Sequence, residues 1–144
     1  VGTLNVLNYF TTIDGPTDIG ADPRGADNAA ELARQTDKLV SAILGMDSDV
    51  IGLVELENDF AGDAFAVKAL VEAINAKAGT DTWAWVDPGR AFVGGDAIAV
   101  GFIYDTATTR LVGEAAILDT PAFLDPLGGG TGGDAFNRAA VAQT

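Results

Sequence analysis

The stretch DVIGLVELEND, residues 49–59, decides how this chain folds. Its first half carries Val50, Ile51, Leu53 and Val54 and reads as a buried strand. It then runs into two carboxylates, Glu55 and Glu57, with only Leu56 between them. Strict alternation puts Ile51, Leu53, Glu55 and Glu57 on one face, the two carboxylates about 7 Å apart along the strand.

Helical patterns flank this strand on both sides. Upstream, residues 29–44 carry Leu32, Leu39, Val40, Ile43 and Leu44 as one apolar stripe. Asn28 is placed to cap that helix, Glu31 completes a capping box, and Gly45 is the expected stop. Before it lie a strand pattern, TLNVLNYFTT (residues 3–12), and a loop over 13–27 rich in Gly, Pro and Asp. Strand, helix, strand predicts a crossover unit with parallel strands. Downstream, a helix is expected over 64–78, capped by Asp63, burying Val67, Leu70, Val71 and Ile74, and stopped by Gly79. TWAWVD (82–87) and DAIAVGFIYD (96–105) read as a hairpin with a long glycine-containing connection. RLVGEAAIL (110–118) is a further strand candidate, 125–136 a loop, and 137–144 the opening of another strand. The expected class is α/β (α+β): a mixed β-sheet with flanking helices.

Composition bounds the rest. The 144 residues suit one domain, and 48% hydrophobic content supports a core. No apolar run approaches the roughly 20 residues of a membrane span. The net charge of −13 disfavours polyanions at long range, so a nucleic-acid partner needs a metal ion or a local basic spot. Zero Cys removes disulfides and thiolate chemistry, and zero His removes the commonest general acid/base and metal ligand. With Val1 first and no signal pattern, the sequence reads as a processed or excised piece.

Ligand sites in sheets with crossover units gather beyond the carboxyl ends of the parallel strands. Glu55 sits there, deep enough in an apolar run that an unpaired charge is costly. The first strand brings Asn5 and Asn8 to the same edge. An amide oxygen from Asn5 and the Glu55 carboxylate suit a hard cation such as Mg²⁺. Glu57 is either a partner in that site or simply the point where the strand meets solvent. Asp96 joins Glu55 if its strand runs antiparallel; otherwise it is a turn aspartate after Gly94 and Gly95. Arg138 suits bidentate contact with phosphate or pairing with one of the many carboxylates. GGTGGDAFN (129–137) fits one copy of a glycine-rich calcium nonapeptide, and one copy cannot build a β-roll.

Four segments in order, TLNVLNYF, DVIGLVELEND, DAIAVGFIY and FNRAAVAQT, resemble the endonuclease/exonuclease/phosphatase superfamily, which includes DNase I-like nucleases. The RGADN at residues 24–28 adds a likeness to its bacterial secreted nucleases. The resemblance implies half of a four-layered αββα sandwich, with residues 1–144 the N-terminal portion of one domain. It implies Mg²⁺ or Mn²⁺ on Glu55 with Asn5 beside it, Asn5 and Asp96 as catalytic groups, and Arg138 on substrate phosphate. The roles of Glu57 and Asn8 stay open. The implied activity is metal-dependent phosphodiester hydrolysis on DNA or RNA by a secreted enzyme. The superfamily's Asp-x-Asn and Ser-Asp-His motifs have no match here, so these residues alone are expected to be inactive. The implied partners are a nucleic-acid substrate and a C-terminal half, or a second copy, covering a bare sheet face. Two other readings stand beside it: a phosphatase or phosphodiesterase on small molecules or lipids, and a non-catalytic binding or adhesion module.

Overall fold

The computed structural model describes residues 1–13, 24–62, 65–119 and 139–144. Arg138, Asp63 and the 129–137 glycine run lie outside these residues. The elements are β1 (Gly2–Tyr9), α1 (Ala29–Gly45), β2 (Val50–Glu57), α2 (Ala66–Ala78), β3 (Trp83–Trp85), β4 (Ile98–Asp105), β5 (Ala116–Leu118) and β6 (Ala140–Ala142). The first four strands form one mixed sheet in the order β1-β2-β4-β3. β1 and β2 are parallel, as the crossover unit requires, and β4 runs antiparallel to both β2 and β3. β5 and β6 pair antiparallel as a separate two-stranded sheet. The strand expected over 110–118 is thus confined to its last three residues.

Helical periodicity is realised as the sequence requires. Leu39, Val40 and Ile43 of α1, and Val67, Leu70, Val71 and Ile74 of α2, are buried against Ile51, Leu53, Leu56 and Ile103 of the sheet. Each such side chain contributes about 1.5–3 kcal/mol on burial. Asn28 caps α1 in an extended conformation, its Oδ1 accepting the Glu31 N–H at 3.0 Å. The Glu31 carboxylate reaches one residue further back than a capping box expects, to the Asp27 N–H at 3.2 Å.

Helix ends differ from expectation in two places. Gly45 is the last helical residue, but the left-handed turn that follows is taken by Asp47, at φ 48°. α2 is entered through an extended Phe65 with no side-chain cap. Gly79 does stop α2 in the left-handed region, at φ 70°, its N–H bonded to the Asn75 carbonyl at 2.9 Å. The Asn75 side chain then grips β3. Its Oδ1 accepts the Trp83 N–H at 2.9 Å and its Nδ2 donates to the Trp83 carbonyl at 3.0 Å.

The face of the sheet away from the helices is not bare throughout. Leu111 and Gln143 close a 120 Å³ cavity against Val50, Phe102 and Tyr104. Towards β1 the same face opens, with Thr3 and Asn5 exposed.

Candidate functional site

The carboxyl ends of β1 and β2 and the amino end of β4 meet at one edge, and β1 and β2 are irregular there. Asn5 pairs with Val54 and Tyr9 with Leu56, so Val6, Leu7 and Asn8 lie opposite Glu55 alone. Across the other ladder, Val54 pairs with Val100 and Leu56 with Ala99, leaving Glu55 as an extra residue. Glu55 is therefore the bulged residue of β2. Its φ is 65°, and Leu7 and Asn8 opposite it are also left-handed at 56° and 51°. Each such non-glycine residue costs on the order of 1–3 kcal/mol and persists only where neighbours over-determine it.

The neighbours that do so can be named. The displaced backbone of β1 finds partners from two side chains. Asn5 Oδ1 accepts the Leu7 N–H at 2.8 Å. Gln35 of α1 donates its Nε2 to the carbonyls of Val6 and Leu7, both at 2.9 Å. Val6 itself is fully buried, which anchors the excursion in the core.

The bulge overturns the expected sharing of a face by Ile51, Leu53, Glu55 and Glu57. An extra residue resets the alternation, so Leu56 continues the helix-side face of Ile51 and Leu53. Glu57 then points to the opposite face. It also does not meet solvent. At 9% exposure it is one of two buried polar residues among those described. Its Oε2 accepts the Thr11 N–H at 2.7 Å, the Thr11 hydroxyl at 3.1 Å and the Thr12 N–H at 3.3 Å. Glu57 thus holds the chain leaving β1 against the end of β2.

Glu55 is half-buried at the edge, and Asn5 is exposed beside it one register step away. Asn8, half-buried, lies within the β1 excursion. The antiparallel β4 does bring Asp96 to this edge. Asn58 N–H bonds to the Ala97 carbonyl at 2.9 Å and Asn58 Nδ2 to the Asp96 carbonyl at 2.8 Å. The Asp96 carboxylate faces Arg24 at 3.6 Å. Ala139 is buried against Gly94, two residues before Asp96.

Asn58 was not singled out by sequence reasoning. It is 7% exposed and uses both ends of its amide. Besides the Asp96 carbonyl, it donates to the Val93 carbonyl at 3.1 Å and accepts the Val93 N–H at 2.8 Å. The Phe60 N–H adds a bond to Ala91 at 2.9 Å. The connection before β4 is thereby fastened to the end of β2. A signal for the bulge did exist in the sequence: Leu53 and Leu56 are both apolar yet out of phase for a regular strand, and one inserted residue reconciles them.

Among the described residues, no three acidic side chains converge as a ready-made cation cage. Comparison with protein-family models, with curated proteins and with solved structures brings no match. Function therefore rests on the chemistry of this edge and on the motif resemblance.

Proposed function

We propose that this chain carries the β1–β2 side of the active site of a secreted, metal-dependent phosphodiesterase acting on nucleic acid. The observation that supports it best is Glu55. A carboxylate sits on a left-handed bulge at the carboxyl edge of a parallel strand pair, opposite a second distortion in β1. Glycine would relieve that backbone, so keeping a glutamate there points to a demand on its side chain.

The donor set suits Mg²⁺ or Mn²⁺ shared with substrate. Mg²⁺ retains waters and takes one or two carboxylates plus substrate phosphate oxygens, so a full protein cage is not required. Glu55 would hold the ion, with the exposed Asn5 amide beside it. Bound there, the cation would supply charge stabilisation for the phosphate oxygens during in-line hydrolysis. Asn5 Oδ1 is already shared with the Leu7 N–H, which orients the amide. Asp96, paired with Arg24 just before the amino end of β4, would serve with Asn5 as a catalytic group. Arg138 would contact phosphate, and the remaining acid/base groups would come from a C-terminal half or a second copy packed on the open sheet face near β1. Ca²⁺ at the 129–137 run remains a secondary proposal resting on one repeat.

The test is plasmid nicking by the protein as its gene encodes it, with Mg²⁺, with Mn²⁺ and with EDTA, beside these 144 residues alone. Cleavage that EDTA abolishes, and that Glu55→Gln lowers about 100-fold or more with the fold retained, is the expected result. Hydrolysis of small phosphate esters without nicking would indicate the phosphatase reading. No metal-dependent hydrolysis of either substrate by the encoded protein would leave a binding module.

A further inference from the structure

We propose that a cationic groove beside α1 seats the phosphodiester backbone of a nucleic-acid strand and leads it to the β1–β2 edge. This rests on the nucleic-acid reading and extends it to a substrate track. The chain has 21 acidic and only 8 basic residues, yet three of the basic ones, Arg24, Arg34 and Lys38, line a single 350 Å³ groove. Against a surface that repels polyanions, such a local spot is where one can approach.

Among the described residues, the groove's one lining carboxylate, Glu31, is already engaged. One oxygen accepts the Asp27 N–H at 3.2 Å and the other faces Arg34 at 3.5 Å. Arg34 and Lys38 are one helical turn apart, about 6 Å along the axis, and both are exposed. Arg24 spans from the groove to Asp96 at the edge. The groove and the candidate site therefore share a residue. Its floor is the β1 excursion itself, where Gln35 holds the Val6 and Leu7 carbonyls. Leu7 is 71% exposed and offers apolar contact to a sugar or base. Guanidinium groups suit phosphate bidentately. Three cations drawn from two segments, around a volume larger than one phosphate needs, favour a strand over a single anion.

Binding of a fluorescent single-stranded oligonucleotide of about 12 nucleotides, within ordinary site sizes, tests it. Anisotropy is read in EDTA between about 50 and 200 mM salt. Replacing Arg34→Gln and Lys38→Gln together should reduce the slope of log K against log salt by about 1.4, as expected for two single-strand contacts. Binding near 100 mM salt should weaken about tenfold. Lys77→Gln, on the last turn of α2 and outside the groove, should leave the slope unchanged. An unchanged slope in the double variant overturns the proposal. So does an equal loss in Lys77→Gln, displacement by pyrophosphate at equal phosphate concentration, or no binding by the wild-type protein. Thermal melting of the double variant at the wild-type temperature shows that a lost slope is not lost fold. The two readings fail separately. No metal-dependent cleavage by the wild-type protein, with the slope still reduced in the double variant, removes the nuclease and keeps the groove, whereas cleavage with an unchanged slope in the double variant removes the groove and keeps the nuclease.

Discussion

The carboxylate of Glu57 accepts a 2.7 Å hydrogen bond from the backbone N–H of Thr11, 46 residues away in the chain. With the Thr11 hydroxyl and Thr12 N–H on the same oxygen, one buried side chain ties the exit of β1 to the end of β2. Glu57→Ala leaves those donors without their acceptor in a site nearly closed to water. The expected loss is about 2–4 kcal/mol. Glu57→Gln keeps an acceptor oxygen and should lose roughly half as much. Urea denaturation measures both, and an alanine variant within about 0.5 kcal/mol of wild type would contradict the role.

Glu55 allows a test that separates backbone from side chain. At φ 65°, a Cβ is strained whatever its substituents. Glu55→Ala keeps the strain and Glu55→Gly removes it, although glycine's unfolded-state entropy offsets about 0.5–1 kcal/mol. The glycine variant should therefore melt above the alanine variant, and both should lose metal-dependent cleavage. A glycine variant less stable than the alanine variant by the full entropy cost of about 0.5–1 kcal/mol would mean that the bulge carries no Cβ strain.

Asn58 makes three hydrogen bonds to the connection before β4. Asn58→Ala should cost about 2–4 kcal/mol, because Val93 and its backbone groups are buried. Amide exchange at Val93 should accelerate well before global unfolding does. Retained protection at Val93 in this variant would mean that other contacts hold the connection.

Tyr9 lies 2% exposed in the core and shares a 3.0 Å hydrogen bond with Thr36 Oγ1. Burial raises its pKa above 10.0, and the Thr36 contact offsets this only in part. Below pH 10 the phenol is neutral in both folded and unfolded chains, and the protein has its full stability with respect to this group. Above it, the unfolded chain releases the proton first, so stability falls as pH climbs towards the folded pKa. Urea midpoints between about pH 8 and 11 should decline in the wild type. In Tyr9→Phe that part of the decline should vanish, at the cost of the Thr36 bond. Parallel profiles would assign the alkaline loss to other groups.

Much of this molecule can be read from its residues in line. The stripes through Leu39, Val40 and Ile43 and through Val67, Leu70 and Ile74 announce both helices, because burial repeats every 3.6 residues there. The parallel β1–β2 pair and the antiparallel β4 follow from connection rules. Residues 49–59 mislead at one point, since strict alternation carried past Val54 passes over the out-of-phase Leu53 and Leu56, which mark an inserted residue between them. Glu55 and Glu57 therefore read as neighbours on one face, whereas the bulge turns them to different tasks. Gln35 and Asn58 were invisible for another reason. Their work is to satisfy backbone groups on segments far away in sequence, Val6–Leu7 and Val93–Asp96 respectively, and nothing local encodes such partners.

The grip of Asn75 on Trp83 has a consequence for how copies of this protein meet. β3 is an outer strand of the four-stranded sheet, and an outer strand invites another chain to zip alongside it. A single carboxamide, bonded to both the N–H and the C=O of Trp83, stands in for that next strand. The outward backbone groups of Trp83 are thereby satisfied by a side chain from α2. Strand-to-strand aggregation through β3 must first displace Asn75, which makes this amide a guard on solubility as much as a brace for the fold.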